Sequence, residues 1–216
     1  MNISILCTDF MHPVIPHLRT WIEEMSSRGH VTSLVFDKEK LGGGDILFLV
    51  SCSQMIREAE KKKYKATLVL HASDLPKGRG WSPLAWAILR GESQITVSLL
   101  EASEPVDSGR IWLKTRFTVE EHELLPEINF KLFAAELLLM KQVVEQFEII
   151  KPTEQIGDPG DYMAKRVPAD SCLDPHKTIA EQFDLLRIAD RQRFPAFFDY
   201  RGKRYLINIE KAEDGQ

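Results

Sequence analysis

The feature that most constrains the fold is a rhythm: short apolar runs alternate with helix-length stretches from the first residues onward. Ile3 to Leu6, Val31 to Phe36, Asp45 to Val50 and Ala66 to Leu70 read as strands. Between them, Pro16 to Ser27 reads as a helix with Ile15, Leu18, Ile22 and Met25 on one face and a stop at Gly29, and Met55 to Lys63 as a polar helix. Buried strands separated by crossover helices pair in parallel, because a chain that returns over a sheet face re-enters it in the same direction. His71 then falls at the end of the fourth strand.

Further on, Pro83 to Arg90 reads as a short helix with Pro83 in its first turn. Gln94 to Leu100 and Arg110 to Val119 read as strands, and in the long helix that follows, Phe130, Phe133, Leu137, Met140, Val144 and Phe147 form one apolar stripe expected to lie in the core. From Lys151 the breakers Pro152, Gly157, Pro159, Gly160 and Pro168 mark a connecting or site-covering segment. Pro175 to Ala189 reads as a helix, and Ala196 to Ile209 as a hairpin around Arg201-Gly202. A chain of 216 residues, 44% apolar, can bury one substantial core. The expected architecture is therefore α/β: a Rossmann-like, open, twisted, mostly parallel sheet with helices on both faces. Residues 1–150 would form the catalytic domain, and 151–216 a C-terminal extension packed on it.

Several functions are disfavoured by what the chain carries. A net charge of -4 supplies no broad cationic surface, so binding dominated by the phosphates of a nucleic acid is not expected. Cys7, Cys52 and Cys172 lie far apart with no CxxC pair, and His12, His17, His30, His122 and His176 show no metal-ligand spacing, so no metal is expected. The start, Met1 to Cys7, has neither a basic leader nor an apolar run long enough for a signal or a span; together with the unpaired cysteines this reads as a cytoplasmic protein with no membrane partner. Gly42-Gly43-Gly44 lacks the Lys-Ser/Thr ending of a phosphate loop and reads as a flexible connection, while Lys61-Lys62-Lys63 reads as the solvated end of a helix. No Gly-x-Ser-x-Gly elbow is present.

The stretch His71-Ala72-Ser73-Asp74-Leu75-Pro76-Lys77-Gly78-Arg79-Gly80, followed by Val106-Asp107-Ser108-Gly109, places an imidazole and a carboxylate on two loops that each follow a strand. Open α/β sheets carry their chemistry at such loops. Taken alone, a histidine after a strand is an ordinary polar residue. Its setting is more telling. Leu68 to Pro76, Arg79-Gly80, the helix from Ser82 to Gly91, the strand Ile95-Thr96-Val97-Ser98-Leu99 and then Val106-Asp107-Ser108-Gly109-Arg110-Ile111 resemble, in order and spacing, the folate-dependent formyltransferases. The resemblance is specific over residues 40 to 120 and looser over the whole chain.

The resemblance implies an N-formyltransferase that uses 10-formyltetrahydrofolate as co-substrate. An amine attacks the formyl carbon, negative charge grows on the carbonyl oxygen, and the nitrogen sheds a proton. It assigns His71 as the imidazole that stabilises the oxygen and Asp107 as the carboxylate that orients it and favours its cation. Asp107 could also organise a water or relay the proton. The folate ring would be held through the backbone of two loops, Ser53, Gln54, Met55 and Ile56 on one and Ser103 to Val106, with Ser103 and Val106 at its ends, on the other. The family's asparagine two residues before the histidine is replaced by Val69. Loss of such a donor costs on the order of a hundredfold or more in rate. Another donor substitutes for it, with Ser51, Ser53 and Gln54 as candidates, or the His–Asp pair works alone, or the chain is inactive; an active enzyme is the expectation.

For the acceptor, a transfer-RNA formylase would carry a further basic barrel domain, for which this chain has no room. The segment Asp161 to Ser171 resembles the Tyr-x-x-Arg-Arg-x-Pro-x-Asp stretch of formyltransferases with larger acceptors, and Leu173-Asp174-Pro175, Phe183 to Arg187 and Phe194 to Phe198 extend the likeness to the small bacterial sugar formyltransferases of pseudaminic-acid and surface-sugar pathways. The acceptor implied is the primary amine of a dideoxyamino sugar carried on a nucleotide. Lys77, Arg79, Trp81 and Arg166 are its candidate contacts, as cations for the diphosphate and a wall for the base; for Arg166 a structural salt bridge is the equal alternative. A different amine such as an aminoacyl group, and a non-catalytic binder of folate or nucleotide sugar, are the competing functions. The tail hairpin and the long helix could each support a homodimer or simply close the core.

Overall fold

A computed structural model describes residues 1–212. Six strands, β1 (Asn2–Leu6), β2 (Val31–Val35), β3 (Gly44–Leu49), β4 (Tyr64–His71), β5 (Gln94–Glu101) and β6 (Ile111–Thr118), form one sheet in the order β2-β1-β3-β4-β5-β6. The first four pair in parallel; β5 and β6 run antiparallel on the β4 edge. The expected Rossmann-like, mostly parallel sheet is thus what the chain forms. Its connections are α1 (Ile15–Ser27), α2 (Glu58–Lys61) and α3 (Pro83–Leu89); α4 (Leu125–Gln146) and α5 (Phe183–Arg187) follow, and β7 (Ala196–Tyr200) pairs with β8 (Lys203–Ile207) as the tail hairpin.

Alternation along the strands sorts side chains onto two faces. Ile3, Ile5, Ile46, Phe48, Leu68 and Leu70 face a core closed by Leu18, Trp21 and Met25 of α1 and Phe133, Leu139, Met140 and Val143 of α4. The opposite face holds Leu6, Leu47, Leu49, Ile56 and Tyr64, with Val69 packed against them. The register of β4 puts His71 on that second face, two residues beyond Val69 and at the strand's exit.

Three expected elements differ. The polar helix expected over 55–63 shrinks to Glu58–Lys61, because Gln54 bonds back to the 37–38 turn and Ile56 drops into the core, which leaves residues 52–57 as a loop. The helix expected over 175–189 is reduced to a 3-10 turn and α5, since the Gln182 side chain folds back onto the Asp174 backbone. Along α4 the buried face runs through Ile128, Phe133, Glu136, Leu139, Met140, Val143 and Val144, so Phe133, Met140 and Val144 of the expected stripe are core, whereas Phe130 is 64% exposed.

Glu136 is the anomaly in that face. It is buried, its Oε2 has no partner, and burial pushes its carboxyl up to about 8 from an ordinary 4.5. The folded state therefore binds a proton that the unfolded chain releases, so this group's contribution to stability is fully present below pH 4.5 and is lost as pH rises toward 8. The loss between pH 5 and pH 8 should be on the order of 3 kcal/mol. Glu136→Met should erase this dependence and melt well above the parent at pH 8, with a much smaller gap at pH 5. Parallel melting curves for the two proteins would refute the point.

Candidate active site

His71 ends β4 and is 6% exposed, and its Nε2 lies 2.8 Å from Gly78 O. A carbonyl only accepts, so this contact places a hydrogen on Nε2 and leaves Nδ1 facing Asp107. Asp107 lies in the loop between β5 and β6, 8% exposed, with its Oδ2 3.8 Å from Nδ1. That gap is too long for a direct hydrogen bond. A reacting atom or a water between the two groups can reach both.

Asp107 holds a left-handed backbone conformation, φ 60°, which a non-glycine residue adopts only where its surroundings insist on it. Its carboxylate accepts from the Gly80 backbone N–H at 2.9 Å. Gly78 and Gly80 thus anchor the two reactive side chains by backbone groups alone. Their loop is itself tied down: Ser73 O accepts from Ser98 Oγ at 2.7 Å, and Lys114 Nζ donates to Asp74 Oδ1 and to Leu75 O, both at 2.6 Å.

The segment after α4 closes the other side. Thr153 exchanges backbone bonds with Ile111 at the start of β6, and Met163 donates to Arg79 O at 2.8 Å and accepts from Trp81 N at 3.0 Å. A Cβ at Gly80 would stand 2.4 Å from Met163 O, so this crossing needs glycine. Tyr162 lies beside Gly80; burial, and then the nearby charge of Asp107, push its hydroxyl above the usual range. Gln155 reaches the same place, with Nε2 donating to Asp107 O at 2.9 Å and to Gly109 O at 2.7 Å and Oε1 accepting from Arg79 at 2.8 Å.

The residues expected to hold the folate lie on two loops at the carboxyl ends of β3 and β5. Ser53 bonds Thr8 through its hydroxyl at 3.0 Å and through its backbone N–H at 2.9 Å, Gln54 accepts from Lys38 N at 2.9 Å, and Ile56 is core, so none of these three side chains is free. Met55 is half-exposed, as is Val106 on the facing loop, where Ser103 Oγ pairs with Ser108 Oγ at 3.0 Å. Val69 contributes an isopropyl group to the core on the His71 face. Of the candidate substitutes for its missing amide, Ser53 and Gln54 are engaged elsewhere, and Ser51 is exposed with φ 48°.

On the acceptor side, Lys77 is exposed, and Trp81, 37% exposed, carries Lys165 Nζ 4.7 Å over its ring. Arg79 is drawn to Gln155, and Arg166 is buried, donating to Asp170 O and Ser171 Oγ. Lys165 and Gln155 went unnoticed in the sequence. Lys165 neighbours the arginine that the motif favoured, and nothing in the local pattern of the breaker-rich segment marks Gln155.

A cleft of about 800 Å³ is lined by neither reactive residue; it lies between the start of α4, the loop after β1 and the tail, against Met11, Phe130, Phe133, Leu186, Arg193 and Ile209. Arg193 is paired there with Asp190 at 2.6 Å. Among the described residues, no group of three or more His, Cys, Asp or Glu is placed to hold a metal ion, and no helix is long and apolar enough to cross a membrane.

Comparisons with known proteins bear on the family and the fold. Residues 12–144 match the family model described as formyl transferase. Methionyl-tRNA formyltransferase of Rickettsia massiliae is 30% identical over 174 residues, 78% of this chain and 55% of the relative, so the chain spans about half the length of that relative. HypX from Aquifex aeolicus, solved in complex with tetrahydrofolic acid, superposes with a TM-score of 0.82 at 24% identity over 97% of this chain and 37% of that one. A likely sugar N-formyltransferase from Mycobacterium tuberculosis superposes with a TM-score of 0.74 at 17% identity over 100% and 99% of the two chains.

Proposed function

The chain belongs to the formyl transferase family, and on that premise we propose that it transfers a formyl group from 10-formyltetrahydrofolate to a primary amine at the His71–Asp107 pair. The observation that carries the reading is the fixed 3.8 Å approach of His71 Nδ1 to Asp107 Oδ2, with both side chains buried and both anchored by the same glycine loop. Placed there, a protonated Nδ1 turns an N–H toward developing charge on a carbonyl oxygen. Asp107 holds that cation in place and accepts the proton the amine sheds, directly or through a water. Because Val69 supplies no amide, the imidazole carries more of the charge than it would beside an asparagine. The reduced folate supplies the formyl group when bound. Exposed Met55 and Val106 would give its ring apolar contact, and backbone groups of the Gln54–Ile56 and Ser103–Val106 loops would meet its polar edge.

For the acceptor, Trp81 with Lys165 over its ring and the exposed Lys77 supply an aromatic side chain and two cations that form no ion pair among the described residues. This set suits a base and a diphosphate, and therefore a nucleotide-linked amino sugar; a neighbour in fold is described as a likely sugar N-formyltransferase. The second reading, an aminoacyl group on transfer RNA, is favoured by the sequence relatives. A turnover assay read by mass spectrometry tests both. With 10-formyltetrahydrofolate and a panel of UDP- and dTDP-linked amino sugars, one sugar should gain one formyl mass at a rate at least about tenfold above that with methionyl-tRNA. Formylation of methionyl-tRNA alone would transfer the acceptor to the second reading, and no formylation of any amine would remove the enzymatic one.

A further inference from the structure

We infer that Gln155 is a positioning residue for Asp107, an inference that rests on the formyl-transfer reading only for its kinetic test. The side chain makes three hydrogen bonds at one place, both donors included. Its two amide hydrogens go to the carbonyls of Asp107 and Gly109, on either side of Ser108, and its oxygen accepts from Arg79. No other side chain can do all of this: glutamate has no hydrogens to donate, arginine has no acceptor, and asparagine is a methylene short. The two carbonyls it grips belong to the turn in which Asp107 holds φ 60°, a conformation that is costly for a non-glycine residue. The third bond reaches the Gly78–Gly80 loop, whose backbone holds both His71 and Asp107.

Gln155 therefore ties together the two loops whose separation sets the Nδ1 to Oδ2 distance. The backbone pairing of Thr153 with Ile111 fixes where its own chain runs. This gives the breaker-rich segment after α4 a specific task. It delivers one planar amide to the back of the carboxylate's turn, where the amide never meets substrate.

Gln155→Met keeps the length and removes every hydrogen bond, and it should lower kcat at least about tenfold with KM for the formyl donor changed less than about threefold. A residue acting through Asp107 adds little once that charge is gone, so in an Asp107→Asn background the same change should cost less than about twofold. Arg79→Met leaves both carbonyl bonds in place and should produce a smaller loss of the same kind, which serves as the test if Gln155→Met fails to fold. A readout independent of turnover is the pair of His71 ring ¹⁵N signals, assigned by their loss in His71→Asn. Gln155→Met should move them in the same sense as Asp107→Asn. Wild-type kcat, full additivity with Asp107→Asn, or unmoved His71 signals would each overturn the inference. If the parent protein formylates nothing, the ring signals still decide it, so its failure is distinguishable from failure of the formyl-transfer reading.

Discussion

Asp107→Asn should lower formyl-transfer turnover by at least about a hundredfold while the protein melts within a few degrees of the parent. The fold should survive because asparagine is isosteric, retains an oxygen to accept from Gly80 N, and belongs to the few residue types that tolerate left-handed backbone. What disappears is the charge 3.8 Å from Nδ1. Without it the ring loses the anion beside Nδ1, and the amine's proton has no anionic destination. His71→Asn should lose as much, since Val69 leaves no neighbouring amide to take over from the ring. Steady-state rates at saturating donor, measured beside melting curves, check both variants. Turnover within about threefold of the parent in either one would remove that residue from the chemistry.

The parts of this site that sequence revealed are those whose cause is local. His71 stands at the end of β4 because an apolar run ends there, and Gly78 and Gly80 stand out because few other residues accept their backbone angles. The alternation that foretold a parallel sheet is likewise a property of consecutive residues. Residues whose environment is supplied from afar read differently. Arg166 matches a motif written for substrate contact, yet Asp170 and Ser171 take up its guanidinium. Phe130 keeps the spacing of a core stripe, but its ring stands exposed at the edge of a cleft lined by the tail. The polar helix expected from Met55 fails because Gln54 and Ile56 find partners outside it, in the 37–38 turn and the core, which no periodicity within the segment reports. Gln155 is the extreme case, since its three partners lie in loops many residues away.

Gly109→Ala should damage both stability and turnover, and for a reason separate from charge. A Cβ at this position would lie 2.0 Å from Glu101 O and 2.8 Å from Glu101 C, backbone atoms that cannot rotate aside. Glu101 donates its own N–H to Arg110 O at 2.9 Å, so the end of β5 is held to the entry of β6 here, just past the register shift between Leu99 and Leu100. Making room means separating the entry of β6 from the end of β5, and overpacking of this kind costs about 1–3 kcal/mol, or several degrees in melting temperature. The same movement carries away the Gly109 carbonyl that Gln155 grips and the turn that holds Asp107. Turnover should therefore fall at least about a hundredfold even at temperatures where the variant remains folded. Gly42→Ala is the matched control: nothing lies within 4 Å of its Cβ position, and both stability and rate should stay at parent values. If Gly109→Ala melts lower but turns over normally, the placement of Asp107 does not depend on this contact, and the tight β5–β6 approach serves the sheet alone.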